Sequence, residues 1–211
     1  MKIIAHRGLW KTKREKNSLL ALKIAIEYGY GIETDIRDYK GELVISHDIA
    51  DADSPLLEEF FRDYQQMGSS APLALNVKAD GMQGSLMQLL KKYSIENYFM
   101  FDMSIPEMVL YKKYNINYFT RHSDIEEKCV LYEDSIGVWL DSFYEEKWLK
   151  VDIVKNHLQD GKRVCVISQE IHGFDENPMW EMLREVACYE ESLMLCTDKP
   201  KEAEAYFNGE D

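Results

Sequence analysis

The sequence predicts an α/β protein in which parallel strands alternate with helices and close into a compact (β/α)8 TIM barrel. Short apolar runs, rich in β-branched and aromatic residues, alternate with amphipathic stretches along the chain. The alternation produces eight strand–helix units, the number that closes this barrel, and 211 residues is near the lower end of its size range. An open, doubly wound sheet is the competing topology, although the predicted loops lack its glycine-rich GxGxxG sequence.

The apolar runs and the periodic stretches between them give the elements in order. Strands are predicted at Lys2–Ala5, Gly31–Ile36 with a hairpin-like extension at Leu43–Ser46, Leu73–Val77, Tyr98–Phe101, Asn117–Thr120, Gly137–Leu140, Arg163–Ile167 and Ser192–Cys196. Helices are predicted at Asn17–Tyr28, Pro55–Gln66, Gln83–Tyr93, Ile105–Tyr114, Ile125–Tyr132, Glu146–Gln159, Pro178–Ala187 and Lys201–Phe207. Ser54-Pro55 and Asp198-Lys199-Pro200 each combine a capping side chain with a proline at a helix start. We therefore predict one domain over residues 1–211.

The composition limits the classes of partner. The chain is 45% apolar and 30% charged, so it can form a packed core beneath a polar surface. No run approaches the roughly 18 uninterrupted apolar residues of a transmembrane segment, and charge returns too soon after the N-terminus for a secretory signal. We therefore expect a cytoplasmic protein. A formal charge of −13 argues against a nucleic-acid partner, because a phosphate backbone is bound by a basic surface.

The cysteines give no sign of a metal or disulfide framework. Cys129, Cys165, Cys188 and Cys196 are far apart, and no two of them form a CxxC pair. We expect reduced cysteines in the core, and neither a metal–thiolate site nor a disulfide.

Polar residues at the ends of the predicted strands are the candidates for chemistry, because a barrel places its active site there. Glu33 and Asp35 are two residues apart on one strand, so both point to the same face. Such carboxylates resist burial unless a cation neutralises them, and their oxygens suit Mg²⁺ or Ca²⁺. His6 and His47 follow the first strand and the extension of the second. There, one imidazole can remove a proton from a nucleophile and the other can protonate a leaving oxygen.

The other candidates follow the same rule of position. Arg7 after the first strand and Lys78 after the third carry the positive charge that would neutralise phosphate oxygens. Further candidates are Asp102 after the fourth strand, Arg121 after the fifth as a second anion contact, and Trp10 at the mouth of the site.

These residues resemble the signature of the glycerophosphodiester phosphodiesterase family. The matching runs are Ala5-His6-Arg7-Gly8, Asn17-Ser18, Gly31-Ile32-Glu33-Thr34-Asp35-Ile36-Arg37, Val44-Ile45-Ser46-His47-Asp48 and Cys196-Thr197-Asp198-Lys199-Pro200. The resemblance implies a phosphatidylinositol-phospholipase-C-like barrel that hydrolyses glycerophosphodiesters with a divalent cation, as a part of lipid metabolism. It also implies that His6 and His47 are the acid/base pair, that Glu33 and Asp35 bind the metal, and that Arg7 and Lys78 contact the phosphate.

The sequence departs from this family at three places. Asn76 stands where the family has a third metal-binding glutamate, so we expect weaker metal binding through its amide oxygen, with Asp102 as a substitute ligand. Lys16 precedes Asn17 where the family has glutamate. Only Ile49–Ser54 separates the His47-Asp48 pair from the next helix, so the family's small inserted subdomain is largely absent and the pocket should be more open.

Three functions are compatible with these residues. The first is a metal-assisted phosphodiester hydrolase with a two-histidine mechanism, acting on a small glycerophosphodiester-like, polyol or sugar phosphodiester. The second, motivated by Asn76, is a catalytically silent barrel that binds a phosphorylated sugar or a nucleotide-sugar-like ligand. The third is a barrel whose polar strand ends are only loop caps. The two histidines favour the first, because an anion-binding protein needs cations but not two imidazoles beside a carboxylate pair.

Overall fold

The computed structural model of the chain describes residues 1–189 and 191–209, in which strands and helices alternate as predicted. The strands are β1 Lys2–His6, β2 Gly31–Tyr39, β3 Glu42–Ile45, β4 Leu73–Val77, β5 Tyr98–Phe101, β6 Phe119–Ser123, β7 Gly137–Asp141, β8 Arg163–Ile167 and β9 Leu193–Thr197. The helices are α1 Leu19–Glu27, α2 Leu57–Gln66, α3 Gln83–Lys92, α4 Ile105–Tyr114, α5 Val151–Gln159, α6 Asn177–Arg184 and α7 Pro200–Asn208, and short 3₁₀ helices cover Lys13–Glu15, Gln169–His172 and Ala187–Tyr189. The predicted α/β class is confirmed.

Two compact units divide the chain, and the first is Ala5–Asn117. Its strands lie in the order β5-β4-β2-β1, and β3 pairs with β2. The β2–β4 and β4–β5 pairs are parallel, whereas β3 is antiparallel to β2. Asp35 of β2 lies opposite Asn76 of β4, so these two polar residues are register neighbours inside an apolar sheet.

The second unit contains residues 1–4 and the chain from Tyr118 onward. Its strands lie in the order β1-β9-β8-β7-β6, and the β6–β7, β7–β8 and β8–β9 pairs are parallel. Aliphatic residues of β7, β8 and β9 pack with Trp180 and Leu183 of α6 in its core. The prediction of one domain over residues 1–211 stays a prediction.

The predicted helix at 125–132 is wrong, because side chains of β6 bind the backbone that such a helix would pair internally. The Ser123 hydroxyl accepts hydrogen bonds from the backbone N–H groups of Ile125 and Glu126, and the Thr120 hydroxyl donates to the carbonyl of Val130. Leu131 has a left-handed φ of 51°. Residues 124–136 therefore form an irregular connection, which we call the β6–β7 connection.

Two helix starts differ from the prediction in their caps. Helix α7 does begin at Pro200, but no side chain caps it. Helix α2 begins at Leu57, and the Ser54 hydroxyl bonds to Asp51 instead of capping it. Residues 46–56 join β3 to α2 with no other helix or strand, as expected for a chain without the inserted subdomain.

Within residues 1–189 and 191–209, no helix combines the length and the apolar character needed to cross a membrane.

Gly137 of β7 tests the packing of the second unit. A Cβ atom there would lie 2.4 Å from the Phe119 ring and 2.5 Å from the carbonyl oxygen of Arg163. We expect Gly137→Ala to lower the free energy of unfolding by about 1–3 kcal/mol, as overpacking does. Gly84→Ala is the matched control, because nothing lies within 4 Å of its Cβ position and alanine favours the helix by about 0.5–1 kcal/mol. Urea unfolding measures both, and equal stabilities would contradict the packing.

Candidate active site

The loop after β1 brings Arg7 and Gly8 against helix α1. Arg7 has a left-handed φ of 59° and Gly8 a φ of 86°. A Cβ atom on Gly8 would lie 2.6 Å from the backbone carbon of Ala21, which excludes every residue except glycine. The turn holds the Arg7 backbone beside β2, where its N–H donates to the carbonyl of Glu33 (2.9 Å) and also lies 3.2 Å from Glu33 Oε2.

Both carboxylates of β2 are buried, and Asp35 is paired with two cations. Glu33 and Asp35 are 1% and 0% exposed, respectively. Arg7 Nε lies 2.9 Å from Asp35 Oδ2, and Lys78 Nζ lies 3.3 Å from Asp35 Oδ1. The candidate phosphate contacts Arg7 and Lys78 therefore neutralise Asp35 in this structure.

Asn17 is a member of the site that the sequence analysis did not assign. Its side-chain amide donates a 2.7 Å hydrogen bond to Asp35 Oδ2, and its oxygen accepts one of 2.8 Å from the Thr34 hydroxyl. Asn17 has a left-handed φ of 62°, which asparagine tolerates better than most residues. The Asn17-Ser18 pair in the matching runs was the available signal for this role.

Burial raises the pKa of Glu33 to about 8, and the neighbouring charge of Asp35 adds to this effect. Arg7 and Lys78 oppose the shift without cancelling it. Glu33 therefore holds a proton more tightly than an exposed glutamate does, and a cation bound at its carboxylate would compete with that proton.

His6 lies at the edge of the carboxylate pair. Its Nε2 atom is 3.8 Å from Glu33 Oε2, and its side chain is 12% exposed. The Trp10 indole donates a 3.0 Å hydrogen bond to the backbone carbonyl of His6, so Trp10 anchors the loop that carries the histidine. Lys16 Nζ lies 4.4 Å from the centre of the Trp10 ring.

An open cleft with a volume of about 460 Å³ adjoins this cluster. Arg7 and Asn17, which both contact Asp35, line the cleft together with His47. His47 is half exposed, and its Nδ1 atom is 2.8 Å from Asp48 Oδ1. The remaining charged lining residues are basic on and directly after the 3₁₀ segment (Lys13, Arg14, Lys16) and acidic after β3 (Asp48, Asp51, Asp53).

Asn76 lies beside the carboxylates of β2, and Asp102 directly follows Phe101, the residue that faces Asn76 on β5. Asn76 pairs in register with Asp35 on one side and with Phe101 on the other. Asp102 follows Phe101 with a left-handed φ of 66°. The structure thus brings Asn76 beside Asp35 and puts Asp102 directly after the next strand.

Arg121 belongs to the second unit, where it lies within β6 instead of after the strand. Its Nε atom is 3.1 Å from Glu126 Oε2, and its guanidinium carbon is 5.3 Å from the centre of the Phe143 ring. A role for Arg121 as an anion contact stays a prediction.

The donor set of the cluster fits a hard divalent cation. Asn76 Oδ1 is a buried acceptor that receives no hydrogen bond from any residue the structure describes, and it lies beside Asp35, whose Oδ1 atom is 3.3 Å from Lys78 Nζ. Buried polar atoms without a hydrogen-bond partner are uncommon, and a cation would satisfy Asn76 Oδ1. Carboxylate and amide oxygens are the ligands that Mg²⁺ and Ca²⁺ prefer.

Solved structures with a similar fold include several glycerophosphodiester phosphodiesterases. A protein of Galdieria sulphuraria assigned to this class is 20% identical, with a TM-score of 0.76 over 98% of this chain and 97% of that one. An enzyme from Parabacteroides distasonis is 17% identical, with a TM-score of 0.68 over 99% and 97% of the two chains. A phosphodiesterase of Oleispira antarctica, in complex with the product sn-glycerol-3-phosphate, is 17% identical, with a TM-score of 0.69 over 99% and 97%.

These structures confirm the predicted fold, a (β/α)8 barrel like that of the glycerophosphodiester phosphodiesterases, over essentially the whole chain. No family model matches the chain, and no curated protein matches it by sequence. At 17–20% identity the likeness is one of fold, and the activity of this chain has to be argued from its own residues.

The raised pKa of Glu33 predicts how stability depends on pH in the presence of EDTA. A carboxyl group whose pKa is higher in the folded state contributes stability at low pH and loses it as the pH rises through the folded pKa, here about 8. Between pH 5 and pH 8, we expect the free energy of unfolding of the wild type to fall by about 1 kcal/mol or more relative to that of Glu33→Gln, since one pKa unit corresponds to about 1.4 kcal/mol. Urea unfolding across this range measures the difference. The exposed Glu42→Gln is the control, and parallel pH profiles for wild type and Glu33→Gln would contradict the prediction.

Proposed function

We propose that this chain is a metal-assisted phosphodiester hydrolase acting on a glycerophosphodiester or a related polyol or sugar phosphodiester. The observation that carries the proposal is the buried Glu33–Asp35 pair with Arg7 and Lys78 around it, adjoining a cleft that His47 also lines. The glycerol 3-phosphate bound to the Oleispira antarctica enzyme supports a glycerol phosphate as one half of the substrate. A cytoplasmic location and a part in lipid metabolism stay predictions.

Each polar residue has a role that its surroundings support. His6, beside Glu33, and His47, paired with Asp48, are the proposed acid/base pair. One imidazole takes the proton of the attacking hydroxyl at a ring nitrogen, and the other donates a proton to the leaving alcohol. Arg7 and Lys78 bind the non-bridging phosphate oxygens, where charge grows as the five-coordinate phosphorus forms.

Glu33, Asp35 and Asn76 would hold the divalent cation. When bound, Mg²⁺ or Ca²⁺ supplies positive charge that polarises the phosphoryl group. The basic residues Lys13, Arg14 and Lys16 on the cleft wall offer contacts to an anionic substrate, and the acidic residues Asp48, Asp51 and Asp53 of the same cleft offset part of their charge.

A silent barrel that binds a phosphorylated ligand is the second candidate, and the neutralisation of Asp35 favours it. With Arg7 and Lys78 both at Asp35, and Asn76 in place of a third carboxylate, the cluster is less acidic than a strong metal site needs. Such a protein would bind a phosphate ester and leave it intact.

Substitution of either histidine tests the hydrolase. We expect His47→Ala and His6→Ala each to lower turnover of glycerophosphocholine by about 10²-fold or more, since its alkoxide leaving group needs a proton and each substitution removes one proton transfer. Turnover is measured as release of glycerol 3-phosphate with Mg²⁺, with Ca²⁺ and with EDTA, which also tests the substrate class.

The control for His47→Ala is Ile49→Ala, which removes an 88% exposed side chain from the same loop. A folded His47→Ala protein with full turnover would remove His47 from the mechanism. Absence of turnover in the metal-loaded wild type, together with binding of glycerol 3-phosphate, would establish the silent barrel instead.

Asn76→Asp tests the metal ligands. A third carboxylate should tighten Mg²⁺ or Ca²⁺ binding by about tenfold or more, because affinity for these ions follows the charge of the ligands. It should also destabilise the metal-free protein, because the added charge is buried. Calorimetric titration and thermal unfolding measure both effects, with Asn208→Asp on α7 as an exposed control. Unchanged affinity for Mg²⁺ and Ca²⁺ would mean that the third metal ligand is another residue, and Asp102 would be tested next.

A further inference from the structure

The second unit contains a group of nitrogen and sulfur donors that the proposed reaction does not use. His122 on β6, Cys129 in the β6–β7 connection and His157 on α5 place one ligand atom each within 4.8 Å of the others. All three side chains are partly buried. We call these residues the His–Cys–His cluster.

Hydrogen bonds fix the orientation of the two imidazoles. His122 Nδ1 is 2.9 Å from His157 Nε2, and the ring planes are 89° apart. On its other side, His157 Nδ1 is 2.8 Å from the Tyr132 hydroxyl, which donates a 2.9 Å hydrogen bond to Asp160 Oδ2. Because the Tyr132 proton goes to Asp160, the hydroxyl oxygen accepts from His157 Nδ1–H.

That assignment leaves a lone pair on His157 Nε2, directed at the cluster. His122 Nδ1–H donates to this lone pair in the metal-free protein. With its proton on Nδ1 and a lone pair on Nε2, the His157 ring is neutral, which is the state in which histidine binds metals.

We propose that the His–Cys–His cluster binds one zinc ion through His122 Nδ1, His157 Nε2 and Cys129 Sγ, with water as the fourth ligand. Tetrahedral zinc, with Zn–N of about 2.0–2.1 Å and Zn–S of about 2.3 Å, holds its ligand atoms about 3.3–3.6 Å apart. The three ligand atoms already lie within 4.8 Å of one another. The two nitrogens are 2.9 Å apart, so they would separate by about half an ångström when zinc binds. On binding, the Cys129 thiol releases its proton to solvent, and His122 carries its proton on Nε2 instead of Nδ1.

The surroundings of the cluster resemble those of known zinc sites. A histidine ligand commonly donates its second N–H to an oxygen acceptor that fixes the tautomer. Here Tyr132 is that acceptor for His157, and Asp160 orients Tyr132 in turn. Imidazole and thiolate suit zinc and not the hard cations expected at Glu33 and Asp35.

The bound ion would fasten the β6–β7 connection to α5 and β6. Within the described chain, this connection has no helix or strand of its own. A cross-link from Cys129 to two regular elements would therefore stabilise the second unit independently of the proposed hydrolase activity.

Cobalt substitution tests the site on tag-free protein treated with a chelator. We expect one equivalent of Co²⁺ to give a thiolate-to-cobalt charge-transfer band, and one equivalent of Zn²⁺ to abolish it and raise the Tm. Cys129→Ser should lose the charge-transfer band and bind Zn²⁺ at least about tenfold more weakly. Cys188→Ser is the matched control, because Cys188 is exposed and lies outside the cluster. The doubly substituted Glu33→Gln, Asp35→Asn protein should keep the band, which separates this site from the carboxylate pair.

Alkylation of the wild type tests the same site without a substitution. Zn²⁺ should slow the reaction of Cys129 with iodoacetamide by about tenfold or more, while exposed Cys188 reacts at the same rate with and without the metal. Mass spectrometry assigns the modified cysteine. Equal labelling of Cys129 in both conditions, or a cobalt spectrum that Cys129→Ser does not change, would overturn the proposal and leave a hydrogen-bonded histidine pair only.

Discussion

The burial of two carboxylates on one strand is the constraint on which the rest of the site depends. Removing a carboxylate from water costs several kcal/mol unless charges and hydrogen bonds compensate for it. Asp35 is compensated by Arg7, Lys78 and the Asn17 amide, which come from three separate segments of the first unit. Glu33 is compensated less, and its raised pKa is the consequence. These residues act as one electrostatic group, so a change in any of them alters the protonation or the position of the others.

That group explains local sequence that would otherwise look arbitrary. Arg7 reaches Asp35 from a loop in which two successive residues have left-handed φ values, and Gly8 lets that loop touch the backbone at Ala21. Asn17 occupies a left-handed position where few other side chains could both tolerate the backbone and donate to a carboxylate. The backbone geometry and the charge compensation therefore select the same residues.

The sequence predicted those features that depend on neighbours along the chain and missed those that depend on contacts between elements. Alternation along β2 was sufficient to place Glu33 and Asp35 on one face, and both do contact Arg7. The helix predicted at 125–132 failed because the hydroxyls of Thr120 and Ser123 bind that segment, a tertiary effect that periodicity does not contain. The four cysteines were expected in the core, yet only Cys165 and Cys196 are buried, whereas Cys129 meets two histidines from distant elements. No spacing rule along the chain predicts such a meeting, because ligands from a strand, a loop and a helix have no common period.

The pairing of Arg7 and Lys78 with Asp35 has a consequence for the proposed reaction. The cations that would bind phosphate oxygens are the ones that neutralise the carboxylate in this structure, and each has a limited number of donors to share. Positive charge placed at Asp35 by a divalent ion would weaken its hold on both side chains and leave them available to a phosphate. Binding of the cation and of the phosphodiester would then support each other, and by linkage each would raise the affinity for the other by the same factor. In the proposed metal site Asn76 would strengthen this coupling, because with one carboxylate fewer the cluster would hold a cation weakly until an anionic substrate drew Arg7 and Lys78 away from Asp35.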